Sequence, residues 1–259
     1  MKRVIAAVSL LVTACGANTA PVASASPGAT GPTPATAPST DPAATSTSTA
    51  DPAASTAPAV DPTPAPSPTG PPAFQAKVSK LDPDRLPHSW RPGCPVHYRD
   101  LRLITMTYWG FDDQAHTGEL VVRETVTDDI VTVFKKLYAM RYPINRMEPV
   151  DVYKGSDYAS IDADNTSAFN CRRATGSSSW SNHAYGQAVD VNPRENPYVT
   201  ASGSTAHDNA REFTERPMKG KGVINPGDRV VRTFAAVGWE WGGYWSGTKD
   251  YQHFSKGGG

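Results

Sequence analysis

The sequence predicts an α+β fold, on three observations. Leu101-Arg-Leu-Ile-Thr-Met-Thr-Tyr108 is β-rich, and Glu119-Leu-Val-Val-Arg123 suits a partner strand. Helical periodicity begins at Thr127 and again near Asp228. Strands and helices do not alternate in the regular βαβ order of a parallel sheet.

Each element has a local reason. Thr127 is expected to cap a helix running through Asp128 and Asp129 to Arg141, with acidic residues in the first turn suiting the helix dipole. Ile130, Val131, Phe134, Leu137 and Tyr138 fall on one face, and Pro143 ends it. The second helix has a buried stripe of Val230, Val231, Phe234 and Val237, with Gly238 as its C-terminal stop. Ala188-Val-Asp-Val191 reads as a short strand. Val189 and Val191 point one way and Ala188 and Asp190 the other, so Asp190 can face a cleft while the valines face the core.

These elements lie in the last two-thirds of the 259 residues. Residues 16 to about 75 are almost wholly Ala, Pro, Thr, Ser and Gly, with no Lys or Arg and three acidic residues. Such a segment buries too little apolar surface to offset its ordering entropy, so residues 16–76 are expected to be a disordered linker. Asp-Pro recurs at 41, 51 and 61 within it. Its Pro-rich composition favours an extended spacer of up to about 180 Å, or about 45 Å as a flexible coil. The folded domain is then 77–259. Formal net charge is zero, and no run of Lys and Arg exceeds two, so nothing points to nucleic acid as a partner.

Residues 1–15 read as a targeting segment. Lys2 and Arg3 precede a short apolar run, Val4 to Val12, too short to span a bilayer. Val12-Thr13-Ala14-Cys15 resembles the lipobox of bacterial lipoproteins, which implies cleavage before Cys15 and lipidation of its thiol. The competing reading is an ordinary secretory signal. Either way the mature chain is expected outside the cytoplasm, and with the lipid it is anchored to the outer face of the cell membrane. Cys94 and Cys171 remain as an even pair in an oxidising compartment and are expected to form a disulfide. In the competing reading Cys171, twelve residues before His183, ligates a metal.

The chemistry concentrates in two segments about sixty residues apart: Ser181-Asn-His183-Ala-Tyr-Gly186-Gln-Ala188-Val-Asp190 and Asp250-Tyr-Gln-His253-Phe254. Two imidazoles and one carboxylate, with a fourth position open, match a catalytic zinc site and not a closed structural one. Asp250, three residues before His253, projects to the same side on one turn of chain. It could take a proton from the attacking water and pass it to a leaving nitrogen. Gly186 permits a tight backbone between His183 and the strand.

Ser181-x-His183-x-x-Gly186-x-Ala188-x-Asp190 resembles the signature of the M15 peptidases, the group of D-alanyl-D-alanine carboxypeptidases, dipeptidases and L-alanyl-D-glutamate endopeptidases. Asp164 to Arg172 and Gly238 to Trp245 are similar to a VanY-type branch, and the resemblance spans roughly residues 95–259. It implies Zn2+ as cofactor, with His183, Asp190 and His253 as ligands and Asp250 as general base. Carboxypeptidase branches usually carry Glu at the base position, and Asp there resembles the endopeptidase branch. Glu240 and Glu195 are rival carboxylates. An upstream arginine is implied to bind a substrate carboxylate or oxyanion, with Arg172 the candidate and Arg173 its neighbour. Ser181 is a further candidate, for substrate or for orienting His183. Trp241, Tyr244 and Trp245 could line a cleft or fill the core.

The resemblance implies an antiparallel sheet flanked by helices, shared with the hedgehog signalling domain. It also implies a zinc peptidase acting on peptidoglycan stem peptides, as carboxypeptidase or endopeptidase. The alternative is a metal-containing lipoprotein that binds cell wall without cutting it. The lipid tether and long spacer suit a polymer lying beyond the membrane.

Overall fold

The computed structural model describes residues 70–257; the targeting segment, Cys15 and the linker up to residue 69 lie outside the described residues. No described helix is long and apolar enough to cross a membrane.

The strands in chain order are β1 (Ala76–Lys80), β2 (Leu101–Gly110) and β3 (Ala115–Arg123), then, after helix α1 (Thr127–Ala139), β4 (Pro143–Ile144) and β5 (Arg146–Met147). Helix α2 (Asp157–Asp162) leads to β6 (Asn165–Thr166), β7 (Ala188–Asp190) and β8 (Tyr198–Val199). Helix α3 (Arg229–Ala235) is followed by β9 (Trp239–Trp241), β10 (Lys249–Asp250) and β11 (His253–Lys256). The result is α+β with mostly antiparallel pairing. One sheet has the order β1-β2-β3, with β4 joining β2 in parallel, and a second has the order β7-β11-β9. Two small pairs, β10 with β8 and β5 with β6, complete the set.

Strand periodicity explains how two cores share one sheet. From β2 and β3, Ile104, Met106, Leu120 and Val122 enter a large core with Ile130, Phe134, Val189, Phe234 and Phe254. Leu101 and Val121 face the other way, into a smaller cluster with Leu81, Leu86, Val96 and Phe169. The large core joins the two sheets through α1 and α3. Phe234 of α3 stacks on Phe254 of β11 with centroids 3.8 Å apart.

The helices depart from expectation at their ends. Thr127 is the first residue of α1, not its cap; its hydroxyl donates back to the Glu124 carbonyl, because a short 3-10 turn, Glu124–Val126, precedes the helix. The helix stops at Ala139, before the proline. Arg141 takes a left-handed conformation and Pro143 begins β4. The buried face adds Val133, and Val131 is only partly covered. For α3 the start near Asp228 and the stop at Gly238 hold: Asp228 Oδ1 accepts from the Val231 amide at 2.9 Å, as an N-cap does, and Gly238 turns left-handed beyond the helix, whereas Val237 lies past its end at Ala235 and is only partly buried.

Cys94 and Cys171 form a disulfide across 77 positions. Cys171 is therefore not available to a metal. The bridge ties the segment around Leu86–Val96 to the chain that leads into the His183 region. Replacing both cysteines by serine should lower stability by about 2–5 kcal/mol. Urea unfolding of the oxidised wild-type chain and the double variant checks this; equal midpoints would show that the bridge contributes nothing.

Candidate metal centre

His183 sits in a 3-10 turn, Asn182–Tyr185. Ser181 caps it, its hydroxyl accepting from the His183 amide at 3.3 Å. Gly186 ends the turn in a left-handed conformation, φ 66°. A side chain there would be strained and would meet the Arg123 amide nitrogen at 2.7 Å. That close approach is used, since the Arg123 amide donates to the Gly186 carbonyl at 2.9 Å and locks the turn to the end of β3.

Asp190 closes β7. In the antiparallel pairing of β7 with β11 its direct partner is His253. On its other side Asp190 exchanges two backbone hydrogen bonds with Ser167, at 2.9 and 3.1 Å. The carboxylate is thus fixed from both sides, while Val189 and Val191 stay fully in the core.

The three side chains converge. His183 Nε2 lies 3.2 Å from Asp190 Oδ2, His253 Nδ1 lies 3.2 Å from Asp190 Oδ1, and the two ring nitrogens are 3.1 Å apart. Among the described residues these three form a buried group able to hold a metal, with ligand atoms within 4.8 Å of one another. Zinc bonds of about 2.0–2.1 Å in a tetrahedron put neighbouring donors about 3.3 Å apart, close to these edges. The donor chemistry agrees. His183 Nδ1 donates to the Ala168 carbonyl at 2.5 Å, which fixes the tautomer and leaves Nε2 as a lone-pair donor aimed at the centre.

Electrostatics follow from the same crowding. Burial alone would push the Asp190 carboxyl up, but the His183 and His253 rings beside it hold it well below the usual carboxylate range. Burial would lower His183, yet Asp190 outweighs that and raises it.

Asp250 stands on β10, opposite Tyr198 of β8. Its Oδ1 is buried, with no hydrogen-bond partner among the described residues. Burial, reinforced by Asp190 and opposed by His253 and Arg172, pushes its carboxyl up to about 7. Gly242 makes this packing possible, because a Cβ there would meet the Asp250 carbonyl oxygen at 2.6 Å and the Asp250 Cβ at 2.9 Å.

A cavity of about 360 Å³ opens on these groups, lined by His183, Asp250, His253, Arg172, Trp180, Ser181, Tyr198 and Trp245 among others. Arg172 reaches it, whereas Arg173 folds over the Trp180 ring at 3.8 Å and donates to the Ser178 carbonyl. The rival carboxylates lie elsewhere. Glu195 is buried against Asp164, whose carboxyl is pushed up to about 8 by burial and by Glu195. Glu240 is exposed in the middle of β9. Of the three aromatics, Trp241 is core, Tyr244 is exposed, and Trp245 lies beside the His253 ring at 5.4 Å. The Ala168 carbonyl, Trp180 and Tyr198 escaped the sequence reading. A backbone acceptor leaves no mark in residue types, and Trp180, though next to Ser181, does not show by its type whether it faces a cavity or the core.

Residues 175–256 match the M15 peptidase family model described as D-alanyl-D-alanine carboxypeptidase. The matched stretch contains His183, Asp190, Asp250 and His253, and begins after Arg172. No curated protein and no solved structure matches the chain. Over that stretch the chain is similar to this family, and the three converging donors are a set able to hold a metal ion.

The raised Asp250 carboxyl has a consequence for stability. A group whose pKa rises on folding favours the protonated native state, so its contribution is lost as pH climbs from about 4, the ordinary Asp value, to about 7. In metal-free protein Asp250→Asn should abolish that loss, making the variant more stable than wild type at pH 8 but not at pH 4. Thermal unfolding in chelator at both pH values checks this; a variant less stable at pH 8 would contradict it.

Proposed function

We propose that this chain is a zinc-dependent peptidase that hydrolyses peptidoglycan stem peptides. The observation that carries the reading is a buried trio of donors at tetrahedral spacing, two of which, His183 and His253, open on one cavity beside half-buried Asp250, whose Oδ1 has no partner among the described residues. The family match supports the substrate class.

His183, Asp190 and His253 would hold the ion through the atoms already turned inward. When bound, zinc supplies a Lewis acid that polarises a peptide carbonyl and lowers the pKa of water. Asp250 acts as general base toward the attacking water and then returns the proton to the departing amine. Its Oδ1, buried and without a hydrogen-bond partner among the described residues, is left free to take that proton. Arg172 supplies fixed positive charge for a substrate carboxylate or for the oxyanion that develops on the carbonyl. Ser181 holds the His183 turn, and Trp180 and Trp245 line the cavity.

The same reading takes the domain to be of the hedgehog and DD-peptidase type. It places the domain outside the cytoplasm, tethered through lipidated Cys15 and reaching wall polymer on its Pro/Ala/Thr/Ser spacer.

The test is digestion of defined muropeptides by the zinc-loaded whole chain, followed by mass. We expect cleavage of a stem-peptide amide, with product masses naming the bond, and a rate at least about a hundredfold lower in Asp250→Ala. Zinc binding without cleavage of any muropeptide would favour a wall-binding protein instead.

A further inference from the structure

We propose that Asp157 is a positioning residue that holds the Arg172 guanidinium in a fixed pose over the cavity, ready for the anionic group of the substrate. The proposal rests on the peptidase reading above and goes beyond it in naming what orders its binding arginine.

Arg172 Nε forms an ion pair with Asp157 Oδ1 at 2.8 Å, a charge contact without hydrogen-bond alignment, and both side chains are mostly covered, 25% and 30% exposed. Its Nη1 donates to the Arg173 carbonyl at 3.2 Å. Nη2 is the nitrogen that neither contact uses, on a residue that lines the cavity beside His183, His253 and Asp250. An arginine has a long, many-jointed side chain. Ordering it in advance removes that entropy cost from the binding step.

Asp157 is itself fixed from behind. It is the first residue of α2, whose cap Ser156 accepts from the Ala159 amide at 3.2 Å. Gly155 just before it is left-handed and lies so close to the His88 carbonyl that a Cβ would sit 2.9 Å from its oxygen. Asp151 accepts from the His88 and Ser89 amides at 2.8 and 2.9 Å. The Ser89 carbonyl in turn accepts from the Cys171 amide at 2.9 Å, next to Arg172 itself. The contacts close a ring from Asp151 through Ser89 and Cys171 to Arg172 and Asp157. The disulfide at Cys171 anchors the ring to Cys94. A carboxylate at the start of a helix also suits the helix dipole, and that bland role must be separated from positioning.

The test compares zinc-loaded wild type, Asp157→Asn, Arg172→Ala and the double variant on the muropeptide that wild type cuts, with KM and kcat measured separately. Asp157→Asn should raise KM about three- to tenfold, leave kcat and the thermal midpoint close to wild type, and add nothing in the Arg172→Ala background. Side-chain ¹⁵N relaxation at Arg172 Nε should report an ordered group in wild type and a mobile one in Asp157→Asn. An equal loss of activity in the Arg172→Ala background, or unchanged Arg172 relaxation, would overturn the proposal. If wild type cuts no stem peptide, the peptidase reading fails by itself. The relaxation arm still decides whether Asp157 orders Arg172.

Discussion

One antiparallel register underlies the site. Pairing Asp190 with His253 across β7 and β11 brings together residues 63 positions apart and points both side chains to one face. A slip of one residue would turn His253 into the core and bring Phe254 to the cavity. The hydrophobic pattern forbids it, because Val189, Val191 and Phe254 are fully buried on the opposite side and Phe254 stacks on Phe234 of α3. The core thus fixes the register that holds the ligands in place, and core residue Ala168 accepts from His183 directly. His183 is added from a separate turn, and the Gly186 contact with β3 sets its distance.

Holding three electron-rich groups about 3 Å apart in a buried spot is unfavourable unless protons or a cation intervene. In the metal-free chain the His183 and His253 rings and the Asp190 carboxylate satisfy one another. Asp250 is left out of that exchange, and its pKa rises as a result of burial. Burial on the β10–β8 pair, with Asp190 adding to it, thus raises a carboxyl beside the three candidate ligands. On the far wall, the ring of contacts behind Arg172 does for a cation what the strand register does for the ligands.

Much of this was legible in residue types. The strand from Ala188 to Asp190 showed its inward face by alternation, and periodicity from near Asp228 with the Gly238 stop marked α3. The spacing from Ser181 to Asp190, with Asp250 and His253, named the residues that the fold brings together. Cys94 and Cys171 paired by compartment and parity. The misses have physical causes. Thr127 sits one residue past the cap position, Val126, because a 3-10 turn precedes α1, and hydroxyl capping and back-bonding look alike in sequence. Asp250 was set above Glu195 and Glu240 by its spacing to His253 and by the resemblance, and of the three only Asp250 lines the cavity. Asp157 had no local signal at all, since its partner comes from another segment and the contact exists only once the fold has formed.

The claim that most depends on the geometry is that His183, Asp190 and His253 act together as one metal site. Zinc titration by competition with a chromophoric chelator tests it directly on wild type and on His183→Ala, Asp190→Ala and His253→Ala. The account predicts one tightly bound zinc per wild-type chain and a loss of affinity of at least about tenfold in each variant. Failure of wild type to bind zinc, or wild-type affinity in any one of the three variants, would contradict it.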